Sequence, residues 1–327
     1  MKTRLTLFWI FVLLGILLAV PIGAQDSPTE PPPEESGLDP VTTPAPLPTR
    51  EPRPAVFAVT NDDRAGLQTF FISTVPQGET RLLRVVGNDI ASVRANWLNE
   101  EIAFWHAEDN NFYGLLAAAM EAPTGSTPLS VVVIYTDNTQ SILATTLEIV
   151  NGAFIVQNVN IPATKGYLLD ASVERSELAR LESAVRQFTL ERMWDADGFQ
   201  LPIMNALTSP FGAFRVFNGT LSTRHTGADI RTTLGIPVQA MAGGRVAYTG
   251  LLPIRGNYVL IDHGYGVYSG YAHCTEVLVA YGDPVERGQT VCMSGDTGRT
   301  QGPHFHWETA VNGVWVNPVQ LLQMWMP

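Results

Sequence analysis

Basic charge is scarce in this sequence. Residues 201–327 contain no lysine and balance seven arginines against seven acidic residues, while residues 1–200 hold 13 basic against 24 acidic ones, so the net charge of −11 arises entirely there. Without clustered Lys and Arg a chain cannot neutralise a row of phosphates, which argues against nucleic acid as its partner. Cysteine is almost missing: only Cys274 and Cys292 occur. A disulfide between them suits an oxidising compartment, but sequence alone leaves open whether they come within bridging range. A long hydrophobic run is lacking too. The uncharged apolar stretch from Leu5 to Val20 falls short of the roughly 20 residues that span a bilayer comfortably. Flanked by Lys2 and Arg4 before it and Ile22-Gly23-Ala24 after it, residues 1–24 read as an export signal, cleaved or retained as an N-terminal membrane tether. Either way the remainder is expected outside the cytoplasm.

What is present falls into blocks. Residues 25–54 are rich in Pro, Glu, Asp, Ser and Thr and bury too little apolar surface to offset the entropy of ordering, so they read as an extended linker. Residues 55–165 alternate short β-type runs such as Thr69–Val75, Arg81–Val86, Leu129–Tyr135 and Ala153–Val159 with turn residues, as expected of a small immunoglobulin-like β-sandwich of six or seven strands. Its one histidine, His106, follows Trp105 in an apolar run and reads as a packing residue. Residues 172–194 predict an amphipathic connecting helix, with Leu178, Leu181, Val185 and Phe188 at spacings of three and four. Residues 199–327 are Gly-rich, with strand-like runs between the glycines, and predict a compact antiparallel β-domain. The fold class is therefore mainly β.

Five of the six histidines fall in that last block: His225, His263, His273, His304 and His306. Neutral imidazole is a common metal ligand, so the concentration points to a metal. In Gly302-Pro303-His304-Phe305-His306-Trp307-Glu308, residues two apart on a strand share a face, so His304 and His306 project together while Phe305 and Trp307 enter the opposite layer. In His225-Thr226-Gly227-Ala228-Asp229 a histidine and a carboxylate can face one way. These two with one strand histidine make three protein ligands, leaving a fourth position for water as catalytic zinc requires. Each fragment alone is weak; together on one β-domain they are specific.

These residues resemble the lysostaphin-type metalloendopeptidases, whose catalytic module is called the LytM domain. The resemblance covers residues 209–322. It includes Ser209-Pro210-Phe211-Gly212, residues 215–218, the His225 to Asp229 motif, Ile261-Asp262-His263-Gly264-Tyr265-Gly266, Tyr271-Ala272-His273, Ser294-Gly295-Asp296-Thr297-Gly298 and the His304–Glu308 motif. Phe305 and Cys274 stand where Leu is commoner in the family. The resemblance implies one Zn2+ held by His225, Asp229 and His306, with His273 and His304 as the catalytic histidines, one as general base and the other stabilising the oxyanion, their roles interchangeable at this level. It implies a lysostaphin-like sandwich or barrel of the duplicated hybrid motif type, and peptidoglycan peptides as substrate. Asn218 matches a position near the substrate groove. His263 matches a non-catalytic position. Glu308 could orient a ligand histidine or serve a structural ion pair. Two rivals stand beside this reading: a catalytically silent wall-binding protein or amidase activator of the same fold, and a purely structural or storage zinc site.

Overall fold

The computed structural model describes residues 47–194 and 196–327. The expected signal (1–24) and most of the linker (25–54) lie outside the described residues. The linker's last residues are not free: Glu51 N–H donates to the Gln323 carbonyl at 2.8 Å, and Arg50 Nη1 donates to the Ala196 carbonyl at 2.8 Å. No helix among the described residues is long and apolar enough to cross a membrane.

Alternation of buried and open side chains builds the first lobe. In Gly125–Tyr135 every second residue from Leu129 onward is buried, the period of a strand with one face on a core. One five-stranded sheet runs in the order Phe57–Asn61, Ala65–Thr69, Thr80–Gly87, Phe112–Ala117, Trp105–His106. The other runs Thr74–Pro76, Gln140–Val150, Gly125–Tyr135, Ile90–Trp97, Glu100–Ala103. Leu67, Leu83, Val85 and Leu116 of the first meet Val93, Trp97, Val131 and Leu147 of the second in one core. The sandwich thus has ten strands rather than six or seven, and it closes at Val150. The strand Val156–Val159, expected within it, instead pairs in parallel with Phe214–Phe217 of the following module. Local alternation marks a strand; it does not say which sheet receives it.

One strand of the first sheet is buried on both faces. Phe112–Ala117 is buried at every position, because Trp105, Tyr113 and Leu115 pack outward into a second core shared with Trp194, Phe199 and the C-terminal module. Trp105 and Trp194 meet edge to face at 5.4 Å.

Helix α1 spans Ala171–Val185 and is capped by the Asp170 carboxylate, which accepts from Ser172 N–H. It stops well short of residue 194. Beyond it the backbone is engaged by a hairpin of the C-terminal module: the Gln187 carbonyl accepts from the Tyr268 hydroxyl, the Thr189 carbonyl from Tyr265 N–H, and Met193 N–H donates to the His263 carbonyl. Gly264 permits this approach, since a Cβ there would fall 1.6 Å from the Glu191 carbonyl oxygen. Phe188, expected on the helix stripe, lies on Tyr265 instead. The buried face of α1 is Glu177, Leu181 and Val185.

The C-terminal module is centred on an antiparallel sheet in the order Leu207–Ser209, Gly227–Arg231, His304–Val311, Val267–Cys274, Gly256–Gly264, Gly244–Leu252, Pro284–Val285, with Val314–Val316 also paired to His304–Val311. Two three-stranded sheets flank it: Pro237–Gln239 with Thr290–Met293 and Glu276–Val277, and Val156–Val159 with Phe214–Phe217 and Leu221–Arg224. Phe305, Trp307, Ile230, Tyr271 and Val259 fill its core. Cys274 and Cys292 form a disulfide with Cα atoms 6.1 Å apart. A short helix α2, Pro318–Gln323, closes the chain, capped by Asn317. The fold class expected from sequence is thus met.

Candidate metal centre

The central sheet brings the two histidine motifs side by side. Gly227–Arg231 pairs with His304–Val311 so that Asp229 lies opposite His306 and Gly227 opposite Glu308. His304, His306 and Glu308 share one face, while Phe305 and Trp307 are wholly buried on the other. Gly227 is needed for the approach of the strands, because a Cβ there would meet the Trp307 carbonyl oxygen at 2.2 Å. His225, in the turn before Gly227–Arg231, is anchored by Nδ1–H donating to the Pro210 carbonyl at 2.7 Å.

His225, Asp229 and His306 converge, and all three are buried. His225 Nε2 lies 3.0 Å from Asp229 Oδ1 and 2.9 Å from His306 Nδ1; His306 Nδ1 lies 2.9 Å from Asp229 Oδ1. The outer nitrogens are committed elsewhere: His225 Nδ1 to Pro210, and His306 Nε2 to Glu308 Oε1 at 3.2 Å. Each ring therefore turns a lone pair inward, and a carboxylate oxygen joins them. Three acceptors in contact repel one another unless a proton or a cation stands between them. Burial pushes the His225 imidazole down to about 4 despite Asp229 beside it. Burial also opposes charge on His306, but bonds to Asp229 and Glu308 outweigh it and raise its proton affinity. Burial pushes Asp229 up, but His225 and Arg215 outweigh it and hold the carboxyl well below its usual range. One shared proton relieves the cluster only in part. A dication taking two nitrogens and an oxygen satisfies all three, and this donor set suits zinc.

His273 and His304 stand beside the cluster, their ring centroids 4.7 Å apart, with His273 5.8 Å from His306. His273 Nδ1–H donates to the Thr297 carbonyl at 2.7 Å, and His304 Nδ1–H to the Gly302 carbonyl at 3.0 Å. Both Nε2 atoms are left to act as acceptors, and His304 Nε2 is 3.7 Å from Asp229 Oδ1. Burial, with His304 and His306 nearby, holds the His273 imidazole well below its ordinary value, so it stays neutral. His273 also sits at φ 62°, a left-handed conformation uncommon for a side-chain-bearing residue. Cys274 turns into the core, away from the site.

A groove of about 580 Å³ opens onto Asp229 and His304, walled by Gln157, Arg215, Arg299 and Gln301. Residues 160–165 are tied to the segment 296–301 beside it: Lys165 Nζ donates to the Asp296 carbonyl at 2.9 Å and to Thr300 Oγ1 at 2.8 Å, and Gln301 Nε2 donates to the Asn160 carbonyl at 2.9 Å. Asn218 does not line this groove. Its amide is spent on Ile161, accepting from the backbone N–H at 2.7 Å and donating to the carbonyl at 3.1 Å. His263 is fully buried, its Nδ1–H donating to the Gly243 carbonyl and its Nε2 2.7 Å from the Ser269 hydroxyl. His106 is remote, hydrogen-bonded to Asn110 and packed on Phe112.

Sequence reasoning assigned no role to Arg215, which pairs with Asp229 and donates to Ser209 Oγ at 2.8 Å. It also missed Arg255, which forks onto Glu308. Arg215 reaches Asp229 from a neighbouring strand 14 residues away, and Arg255 reaches Glu308 from a turn 53 residues away, so no local spacing reveals either pair.

Residues 223–318 match the model of Peptidase family M23. Over 96 residues, 29% of this chain and 22% of the relative, the sequence is 42% identical to the peptidoglycan DD-endopeptidase ShyA of Vibrio cholerae. Over 120 residues, 36% of this chain and 27% of the relative, it is 38% identical to the DD-carboxypeptidase/endopeptidase Mpg of Neisseria meningitidis. The matched part spans only about a quarter of the length of these relatives. A solved structure from Pseudomonas aeruginosa assigned to peptidase M23 superposes with a TM-score of 0.57 over 76% of this chain and 94% of that one, at 22% identity, a likeness of fold. The resemblance expected from the motifs is therefore met by the C-terminal module.

Proposed function

We propose that the protein is an exported zinc metalloendopeptidase that hydrolyses amide bonds in peptidoglycan peptides. The observation carrying this is the inward convergence of His225 Nε2, His306 Nδ1 and a carboxylate oxygen of Asp229, with both rings' other nitrogens held from behind. The matched domain and the wall-cutting relatives support the substrate class; the apolar segment at residues 5–20 supports export.

In this reading His225, Asp229 and His306 hold the zinc. When bound, the metal supplies Lewis acidity, polarising a scissile carbonyl and lowering the pKa of water. One of His273 and His304, each with its Nε2 left as an acceptor beside the cluster, accepts the proton from attacking water and delivers it to the leaving amine, while the other stabilises the developing oxyanion. Their fixed Nδ1–H bonds hold the rings in the required tautomer. The groove lined by Arg215, Gln301 and His304 is where a peptide would lie against the centre.

The test compares wild type with His304→Ala for zinc content and for release of peptides from purified wall. The variant is expected to retain zinc and to lose roughly 10²–10⁴-fold in rate. Undiminished cutting by the variant would remove His304 from catalysis. A zinc-loaded wild type that releases no peptide, yet stimulates a separate amidase, would replace the enzyme reading with the activator one.

A further inference from the structure

A buried carboxylate on α1, outside the matched domain, reaches the metal centre through a single arginine. Glu177 is 3% exposed. It accepts from Ile254 N–H at 2.6 Å, Arg255 N–H at 3.1 Å and Arg255 Nη1 at 2.9 Å. Arg255 in turn donates through Nε to Glu308 Oε2 at 2.8 Å and through Nη2 to Glu308 Oε1 at 2.5 Å. Its Nη2 also donates to Thr226 Oγ1 at 2.9 Å. Glu308 receives the Tyr258 hydroxyl at 2.8 Å and is the acceptor behind His306 Nε2. The Arg255 carbonyl receives the backbone N–H of His273 at 2.8 Å, at the residue whose φ is positive.

Stability does not account for this arrangement. Leu181 and Val185 continue the same helix face and bury without cost in charge, and an apolar residue at 177 would extend them. Burying an acid–base–acid triad costs several kcal/mol per ion, and well-packed apolar replacements of such groups are often neutral or stabilising. What the triad supplies is direction. A guanidinium gripped from one side by Glu177 presents a fixed fork to Glu308. The Glu308 carboxylate so fixed sets the ring of His306, and the same grip holds the turn that carries His273.

We infer that Glu177 is a positioning residue for the site, acting through Arg255 on both His306 and His273, so that the working catalytic unit includes α1 and not the matched domain alone. The inference rests on the zinc reading above and is tested first by metal affinity rather than by turnover. Zinc dissociation constants, and absorption spectra with Co2+ in its place, are measured on the full chain for wild type, Glu177→Gln and Val185→Ala. Val185 lies on the same helix face and touches none of the triad, so it reports general loosening. The Gln variant is expected to bind zinc roughly 10-fold more weakly, the lower end of the scale for losing an outer partner of a metal ligand because Glu177 acts through Arg255, and to shift the Co2+ bands, with Val185→Ala unchanged in both. Equal zinc binding by Glu177→Gln and wild type overturns the inference and leaves the proposed function standing; equal weakening in both variants also overturns it. A wild type that binds no zinc overturns the proposed function first. If Glu177→Gln does not fold, Arg255→Lys serves, because an ammonium cannot fork to both carboxylates. It too is expected to weaken zinc, and unaltered affinity would overturn the inference.

Discussion

The sandwich and the C-terminal module are built of the same material, mainly antiparallel sheets around aliphatic and aromatic cores, but they differ in what else they bury. Among the described residues of the sandwich the buried polar side chains are Thr69 and Thr80, both uncharged. The C-terminal module buries His225, Asp229, Arg255, Asp262, His263, His273, Arg299, His306 and Glu308. Ionisable groups out of water are costly unless paired. The sandwich shows that such sheets form without them. Most of the charges in the second module gather at the metal centre and the ion pairs behind it, and the first lobe serves as an internal standard for what packing alone needs.

The largest expected effect comes from removing one of those charges at the centre itself. Asp229→Ala withdraws the oxygen donor and leaves Arg215 without its carboxylate. Breaking a buried pair costs about 3–5 kcal/mol, and a loss of that size in metal binding corresponds to roughly 10²- to 10⁴-fold in affinity. Zinc per chain after dialysis should fall from one equivalent to near zero, and peptide release from wall should vanish with it. Full zinc retention would show that Asp229 is no ligand. The sandwich should be untouched, its tryptophan fluorescence unchanged.

The converse cut is made in the sandwich. Leu116 is wholly buried between the two sheets, and Leu116→Ala should cost about 2–5 kcal/mol of stability through lost transfer energy and the cavity left behind. Zinc affinity should not change. Trp105, Tyr113, Trp194 and Phe199 join both lobes in a common core, so unfolding should remain a single transition. A sandwich that melts separately, ahead of the zinc-binding module, would refute that joint core.

Sequence reading reached the site better than it reached the assembly, for a physical reason. His304 and His306 stand two apart on one strand, and His225 and Asp229 flank a single glycine, so short-range geometry alone places each pair on one face. The buried acid on the helix escaped it. Glu177 occupies a helix position that by type belongs in solvent, and only the contact with Arg255, far along the chain, explains its burial. The helix end was misplaced because Phe188 continues the apolar spacing, while the groups that stop the helix belong to the hairpin at Tyr265 and Tyr268. The strand Val156–Val159 was assigned to the wrong lobe because parallel pairing with Phe214–Phe217 leaves no mark in local alternation. Asn218 was read by motif position, and its amide turned out to be held by a backbone outside the motif.

A subtler contrast between the lobes concerns pH. His263 is buried, away from the metal centre, and burial pushes its imidazole from 6.5 down to about 4. As pH falls through about 6.5 the unfolded chain takes up a proton at this residue, while the folded chain does not until about 4. The stability it contributes is thus present above about 6.5 and lost as pH falls toward 4, by at most about 3 kcal/mol. Subtracting the unfolding free energy of His263→Asn from that of wild type at each pH cancels the other histidines. The Asn variant keeps a donor for the Gly243 carbonyl but cannot titrate. The difference should shrink steadily between pH 6.5 and 4 in favour of the variant. A difference flat with pH would mean that the fold tolerates an imidazolium at this position, and that burial in this module is less dry than the packing of Ser269, Gly243 and Phe199 around the ring implies.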